Sequence, residues 1–384
     1  MVRSPTSRVL PVPLIAGVLA LVVATLAIVP SLRPVGWDVT ALPRVASNTP
    51  LGAAAKRIDP GFHTLPAGDY DGQFYWAIAV DPLATGSVHR DVDKPSYRYG
   101  HPLYGWLGWL FSAGQGPAAA AALLAVGLAS LAAAAALAGW LGTRRGSRGW
   151  EGLFVAVNAG LLYSAAHDLA EPLCAALLLG GLAGWVAGRR HVALICFALL
   201  PLAKEPLALL PVAVAVWEVW RNQARIRQVL PLFGVLLPSI AWWIYARVHL
   251  GAWFTSGDTA LGAPFSGWKR ALVDAGIRSY SSNPSQNQIG EETLVVLAAL
   301  LGLLAVAGIY ALRLRGPTEL FFVPLGVIAL CLAPNATVAL RDALRNTALL
   351  VALAPFVIAS PPLLPRLWGH RAARSSTAPP PSPT

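Results

Sequence analysis

The sequence predicts an all-α polytopic membrane protein of about ten transmembrane helices, with a long first extracytoplasmic loop containing interfacial helices. Three observations carry this. The 384 residues are 56% hydrophobic and 12% charged, against about 25% charge in a soluble domain, and mean hydropathy is +0.58. Apolar runs approaching the roughly 20 residues that cross a bilayer recur along the chain. Basic residues return at every second loop between those runs.

The runs are 12–30, 117–141, 152–166, 168–187, 191–204, 205–220, 230–250, 293–313, 318–333 and 344–363. The short ones, 152–166 and 191–204, flank polar residues and are expected to be bent or broken. The excess of 29 Lys+Arg over 18 Asp+Glu invites a nucleic-acid partner, but its distribution excludes that reading. Arg3 and Arg8 precede the first run. Arg144, Arg145 and Arg148, then Arg189 and Arg190, then Arg221, Arg225 and Arg227, then Arg313 and Arg315, then Arg366, Arg371 and Arg374 mark alternate loops. That is the positive-inside pattern, and it puts both termini in the cytoplasm. The first run is longer than a signal-peptide core and ends without an A-x-A site, so it is expected to stay as a helix. Cys174, Cys196 and Cys331 lie in or beside apolar runs and read as small buried hydrophobes.

Residues 1–363 therefore form one transmembrane domain, followed by a Pro/Ser-rich, disordered cytoplasmic tail at 364–384. The first outer loop spans 31–116. Its early part has scattered Pro and Gly and no period, and is expected to be irregular. Tyr70, Phe74 and Ile78 then recur at i, i+4, i+8, which predicts a short amphipathic helix. Asp81-Pro82 ends it, because a residue before proline avoids the helical region. The stretch 101–114 is apolar but short and carries Tyr104, Trp106 and Trp109; it is expected to lie on the outer surface, since crossing would put Arg144–Arg148 on the wrong side. A second large outer loop, 251–292, either covers a site as a lid or connects spans.

Charge that persists near a bilayer marks functional candidates, and five groups do so at the predicted outer ends of spans. In the first, Asp71 can act as general base toward a hydroxyl, with Asp69, Gln73 and Tyr75 beside it; a helix cap or a solvated face is the plainer role for the acids. Asp81 and Asp93 suit sugar hydroxyls or a metal, or equally caps and turns. In the second, Arg98 and His101 lie in Tyr97-Arg98-Tyr99-Gly100-His101-Pro102, where a guanidinium suits a phosphate at headgroup level. In the third, Asp168 and Glu171 are three apart and share a face if the helix starts there. In the fourth, adjacent Lys204 and Glu205 either neutralise each other or leave Lys204 for a lipid phosphate. In the fifth, Arg341 and Arg345 are four apart on one face, on the side where the charge rule does not want them. No Walker A loop, HExxH or G-x-S-x-G is present.

This layout resembles the GT-C superfamily of integral membrane glycosyltransferases, which use polyprenyl-phosphate sugars. Asp71-Gly72-Gln73-Phe74-Tyr75, Ile78-Ala79, Asp81-Pro82 and Tyr97-Arg98-Tyr99 look like the first-loop pattern of bacterial GT-C-like proteins. Pro102-Leu103-Tyr104 is similar to the closing segment of the eukaryotic GPI mannosyltransferase loop, whose opening Trp is Tyr70 here. Glu171-Pro172 and Lys204-Glu205 resemble later loops of the superfamily. The resemblance implies a sugar passed with inversion from a polyprenyl phosphate to an envelope glycan or lipid acceptor on the extracytoplasmic side of the plasma membrane. It implies Asp71 as the base, with Arg98, Lys204, Arg341 and Arg345 offsetting charge on the departing phosphate, and Asp168 and Glu171 orienting sugar or acceptor. Some members need a divalent metal, but no ligand cluster stands out in this sequence. The competing expectations are a transporter or lipid flippase, which would place polar residues near the midplane on broken helices, and a non-catalytic envelope scaffold, which leaves the paired charges unexplained.

Overall fold

The computed structural model describes residues 12–66, 68–257 and 260–359. The C-terminal tail and the basic residues Arg3, Arg8, Arg366, Arg371 and Arg374 lie outside the described residues. Among those described, every regular element is helical, with only isolated bridges at Ala46–Leu65 and Leu261–Leu332.

The first helix, α1 (Val12–Leu32), is followed by α2 (Pro50–Ile58), α3 (Gly72–Val80), α4 (Pro95–Arg98) and α5 (Leu103–Phe111) in the first loop. Then come α6 (Ala119–Arg144), α7 (Trp150–Ala156), α8 (Ala159–Ala165), α9 (Glu171–Val186), α10 (Arg190–Ala203) and α11 (Leu209–Arg221). The last set is α12 (Ile226–Gly234), α13 (Leu237–Leu250), α14 (Ser266–Ser279), α15 (Pro284–Ala311), α16 (Pro317–Leu330) and α17 (Leu340–Ile358).

Four helical stretches are long and apolar enough to cross a membrane: Val12–Val35, Gly116–Arg144, Ile226–Leu250 and Pro284–Ala311. The other six apolar runs fold as shorter or more polar helices, so length and composition do not support ten equal spans. At 1.5 Å per residue, 14–16-residue helices such as α9, α10 and α16 fall short of a hydrocarbon core of about 30 Å. The run 152–166 breaks into α7 and α8 as expected. Asn158 is the reason: its Oδ1 accepts from Leu161 N and starts α8, while its Nδ2 donates to the Ala348 carbonyl of α17. α17 opens on Arg341, Asp342 and Arg345 rather than on apolar residues.

Small residues decide how the helices meet. Ala16, Ala20 and Ala24 recur every four residues along α1, are fully buried, and pack on the Ala-rich α6. That stripe permits the close approach that drives helix association in lipid. α6 packs on α9, and α9 on α10, where a side chain at Gly181 would strike the Phe197 ring. Outward-facing positions are apolar instead, with Leu26, Val248, Val295 and Ile309 all exposed, the arrangement a lipid solvent allows. At the end of α6, the Arg145 guanidinium donates to the Phe356 carbonyl and to Thr318 Oγ1, tying α6, α16 and α17 together.

Three expectations about the loops are corrected. The early first loop contains α2, capped by Thr49 Oγ1 on Gly52 N with Pro50 at the first turn. α3 ends at Asp81 as expected, but it is not amphipathic: Gln73, Phe74, Trp76, Ala77, Ile78 and Ala79 are all buried, because α5 and α6 pack on it and Phe62 lies on Trp76. The segment 251–292 is mostly helix. α14 pairs with the polar start of α15 at Gly290, where a side chain would meet the backbone of Arg278 and Ser279. α5 is nine residues, about 14 Å, too short to cross; Trp109, Leu110 and Phe111 at its end are exposed.

Candidate active site

A cavity of about 500 Å³ opens where α3, α4, α9, α16, α17 and the 204–207 turn converge. It brings together eight of the predicted residues: Asp71, Tyr75, Arg98, His101, Glu171, Lys204, Glu205 and Arg345. Each sits in a loop or near a helix end, where backbone groups and side chains are free to face a ligand.

Asp71 stands immediately before α3. It reaches the cavity because Gly72 passes against the His167 carbonyl and Pro43, leaving no room for a Cβ. Arg345 Nη2 donates to its Oδ2 at 2.7 Å and Arg98 Nη1 to its Oδ1 at 3.1 Å. Burial works to raise the Asp71 pKa, but the two guanidiniums outweigh it and hold the carboxyl below its usual value. The group is therefore ionised at neutral pH, and each oxygen keeps a second lone pair for a hydroxyl.

Arg345 also lies 3.6 Å from Glu171 Oε1, which accepts from Lys204 Nζ at 3.0 Å. Glu205 turns away from its neighbour Lys204 and meets His101 Nδ1 at 2.7 Å. Of the two readings of this pair, mutual neutralisation is replaced by two separate pairs, because the extended backbone at Lys204 (φ −163°, ψ 120°) sends the adjacent side chains apart. Tyr70 was legible as part of a helical period and as the residue in place of the opening Trp; its hydroxyl donates to Asp342 Oδ1 and its ring lies about 5 Å from the Arg341 and Arg345 guanidiniums. Asp342 lines the cavity and was overlooked. Its signal is its place between two arginines at the start of α17.

The other expected residues do not line the cavity. Asp81 is a turn residue: Oδ1 accepts from Thr85 N and Gly86 N, and Oδ2 from His89 N and the His89 ring. Both of its oxygens are taken up within that turn. Asp93 holds Arg98 through Nε and Nη2 at 3.0 and 3.3 Å, and Arg98 stacks 3.7 Å over Phe74. Arg98 is thereby committed to two carboxylates rather than open to a phosphate. Asp69 accepts from Gln73 Nε2 on the turn before α3. Asp168 is fully buried in a left-handed conformation (φ 51°) ahead of α9, with no hydrogen-bond partner for either oxygen, so it does not share a helix face with Glu171. Arg341 is half exposed and sits outside the cavity wall.

The Asp81 pairing makes a stability prediction. Burial works to raise its pKa, but hydrogen bonds from Gly86 and His89 lower it. A lowered native pKa stabilises the fold above the unfolded carboxylate value and is lost as pH falls through the native one. Asp81→Asn is expected to destabilise by about 1–3 kcal/mol at neutral pH, read as thermal unfolding in detergent, and to show a smaller loss of stability on acidification than the parent protein.

The far end of the cavity is apolar, lined by Leu325, Ile328 and Leu332 of the α16 end and Leu349 and Leu350 of α17, with Phe254 and Leu261 from the segment before α14. Phe254, Thr255, Gly257, Ala260 and Leu261 of that segment line the site, while most of 266–292 is helix. Among the described residues no group of three or more His, Cys, Asp or Glu is placed to hold a metal ion; the wall acids face cations, Tyr70 or His101 instead. No family model, curated protein or solved structure matches the chain.

Proposed function

We propose that this protein is a membrane glycosyltransferase that moves a sugar from a polyprenyl phosphate to an envelope glycan or lipid acceptor. The observation that carries the reading is the two-ended cavity: a charged end built on Asp71, Glu171, Lys204 and Arg345, continuous with an apolar end formed by α16 and α17. Such a cavity matches an amphiphile with an ionic head and a hydrocarbon chain. The resemblance to the GT-C superfamily supplies the chemistry, with Asp71 taking the acceptor proton as the hydroxyl attacks the anomeric carbon.

The basic loops argue for a multi-pass protein of about ten membrane passes in the plasma membrane, both termini in the cytoplasm and the cavity outside. Shorter helices such as α9, α10 and α16 count as passes in this reading, locally thinning the bilayer. A transporter or flippase remains the rival class. Against it, the cavity's acids and bases come from the starts of α9 and α17, the turn after α10 and the first loop, rather than from midplane helix breaks.

The test is purified protein in lipid vesicles supplied with a panel of polyprenyl-phosphate sugars and envelope glycan acceptors. Release of free polyprenyl phosphate with a new glycosidic product is expected. Movement of the intact donor between leaflets without its consumption would replace the transferase with the flippase.

A further inference from the structure

The cavity wall contains four carboxylates (Asp71, Glu171, Glu205, Asp342) and four cations (Lys94, Arg98, Lys204, Arg345). It has no surplus positive charge. Arg98 is shared by Asp71 and Asp93, Lys204 is bound to Glu171, and Arg345 lies between Asp71 and Glu171. Lys94 at the rim donates to the Gly257 carbonyl. A phosphate that gains charge as its bond to sugar breaks needs something these pairs do not supply. His101 is the only histidine among the described residues of the wall, and an imidazole can pass a proton to a phosphate oxygen.

His101 is built for a fixed orientation. The Trp242 and Trp243 indoles of α13 donate to the Tyr99 and Gly100 carbonyls at 2.6 and 2.9 Å. The Tyr99 hydroxyl donates to the Asp81 carbonyl at 2.9 Å. A side chain at Gly100 would meet Phe254 and Glu205, so the backbone lies close against the site. Glu205 takes Nδ1, and the Tyr75 and Tyr97 rings present their edges to the imidazole at 5.9 and 5.7 Å. Nε2 has no hydrogen-bond partner among the described residues, and the side chain is 14% exposed in the cavity. A carboxylate on one nitrogen orients the ring and leaves the other nitrogen facing the cavity. The ionisable groups facing it are Glu205, Asp71, Tyr75 and Tyr97.

We infer that His101, oriented by Glu205, is the catalytic acid that hydrogen-bonds the lipid phosphate through Nε2 and protonates it as it leaves. This rests on the transferase reading. As the acceptor oxygen bonds to the anomeric carbon, the bond from that carbon to the phosphate oxygen breaks and its electron pair stays on the phosphate. The acceptor proton passes to Asp71, and the Nε2 proton passes to a phosphate oxygen, so the phosphate monoester departs as a monoanion. Return of the Asp71 proton to His101 through water resets the site.

The experiment compares dodecyl phosphate, a monoester that carries the departing group's extra charge, with dodecyl methyl phosphate, a diester that does not. Binding is measured at neutral pH to the full chain in lipid nanodiscs. Wild type is expected to prefer the monoester by at least about tenfold, the worth of one charge-assisted hydrogen bond. His101→Gln and Glu205→Gln are each expected to lose that preference, the affinity for the monoester falling to that for the diester. The second variant keeps the test intact if the first fails to fold. A preference retained in a folded variant overturns the inference, as does equal binding of the two probes by wild type; both leave the transferase reading standing. Failure of wild type to bind either probe overturns both.

Discussion

Asp71→Asn is expected to lower sugar transfer by about 10²–10⁴-fold, the usual contribution of a general base, while the protein still inserts and folds. The partner arrangement explains why the fold survives. Arg345 keeps Glu171 and Arg98 keeps Asp93 when the Asp71 charge is removed, so neither guanidinium is left alone in a low-dielectric wall. The measurement is product formation by purified variant in lipid, beside its thermal unfolding. Wild-type-like transfer by the folded Asn variant would remove Asp71 as base. The pH profile gives a second check. With the Asp71 carboxyl held below its usual value by Arg345 and Arg98 against the opposing effect of burial, the base stays ionised through the neutral range. Rate controlled by this group is retained there and lost only as pH falls through that lowered value.

Arg345→Met is expected to have the largest effect on stability. Arg345 joins the first loop, α9 and α17 through Asp71 and Glu171, and its side chain is 14% exposed. Removing it leaves two carboxylates facing each other across the site with one cation each, Arg98 and Lys204. Breaking a buried pair from one side costs about 3–5 kcal/mol. The lower end applies because Asp71 is a third exposed and both acids retain a partner. Lysine is not expected to restore it, since a single ammonium cannot reproduce the planar fork. Adding Glu171→Gln to Arg345→Met removes one of the stranded charges, so the double variant is expected to be more stable than the sum of the two singles by about 0.5–3 kcal/mol. Thermal unfolding of the four proteins in detergent completes the cycle, and strict additivity would show that Arg345 and Glu171 do not interact.

The site was half legible in the sequence. Asp71, Glu171, Lys204 and Arg345 could be picked out because ionisable groups in an apolar chain are costly and therefore conspicuous. The i, i+4 pairing of Arg341 with Arg345 put both on one helix face, and the structure sets both guanidiniums beside the Tyr70 ring. Asp81 was equally conspicuous and proved to be a turn residue, since a carboxylate that binds backbone N–H groups and one that awaits a ligand have the same sequence. Lys204 and Glu205 look like a mutual pair because they are adjacent, but an extended backbone separates their side chains. Tyr70 and Asp342 are 272 residues apart, and no local period relates them.

The amino-acid sequence by itself determined the helical class, the stretches long and apolar enough to cross a membrane (α1, α6, α12–α13 and α15), the end of α3 at Asp81-Pro82 and the break in 152–166. Each of these follows from hydropathy, proline geometry or a polar residue acting on its near neighbours. Only the tertiary structure decided that α3 is buried on every side, that most of 251–292 is helix, and which acid faces which base. Those outcomes depend on contacts between separate segments, from tens to hundreds of residues apart, where packing and the cost of leaving a charge unpaired select the partner and local periodicity has no influence.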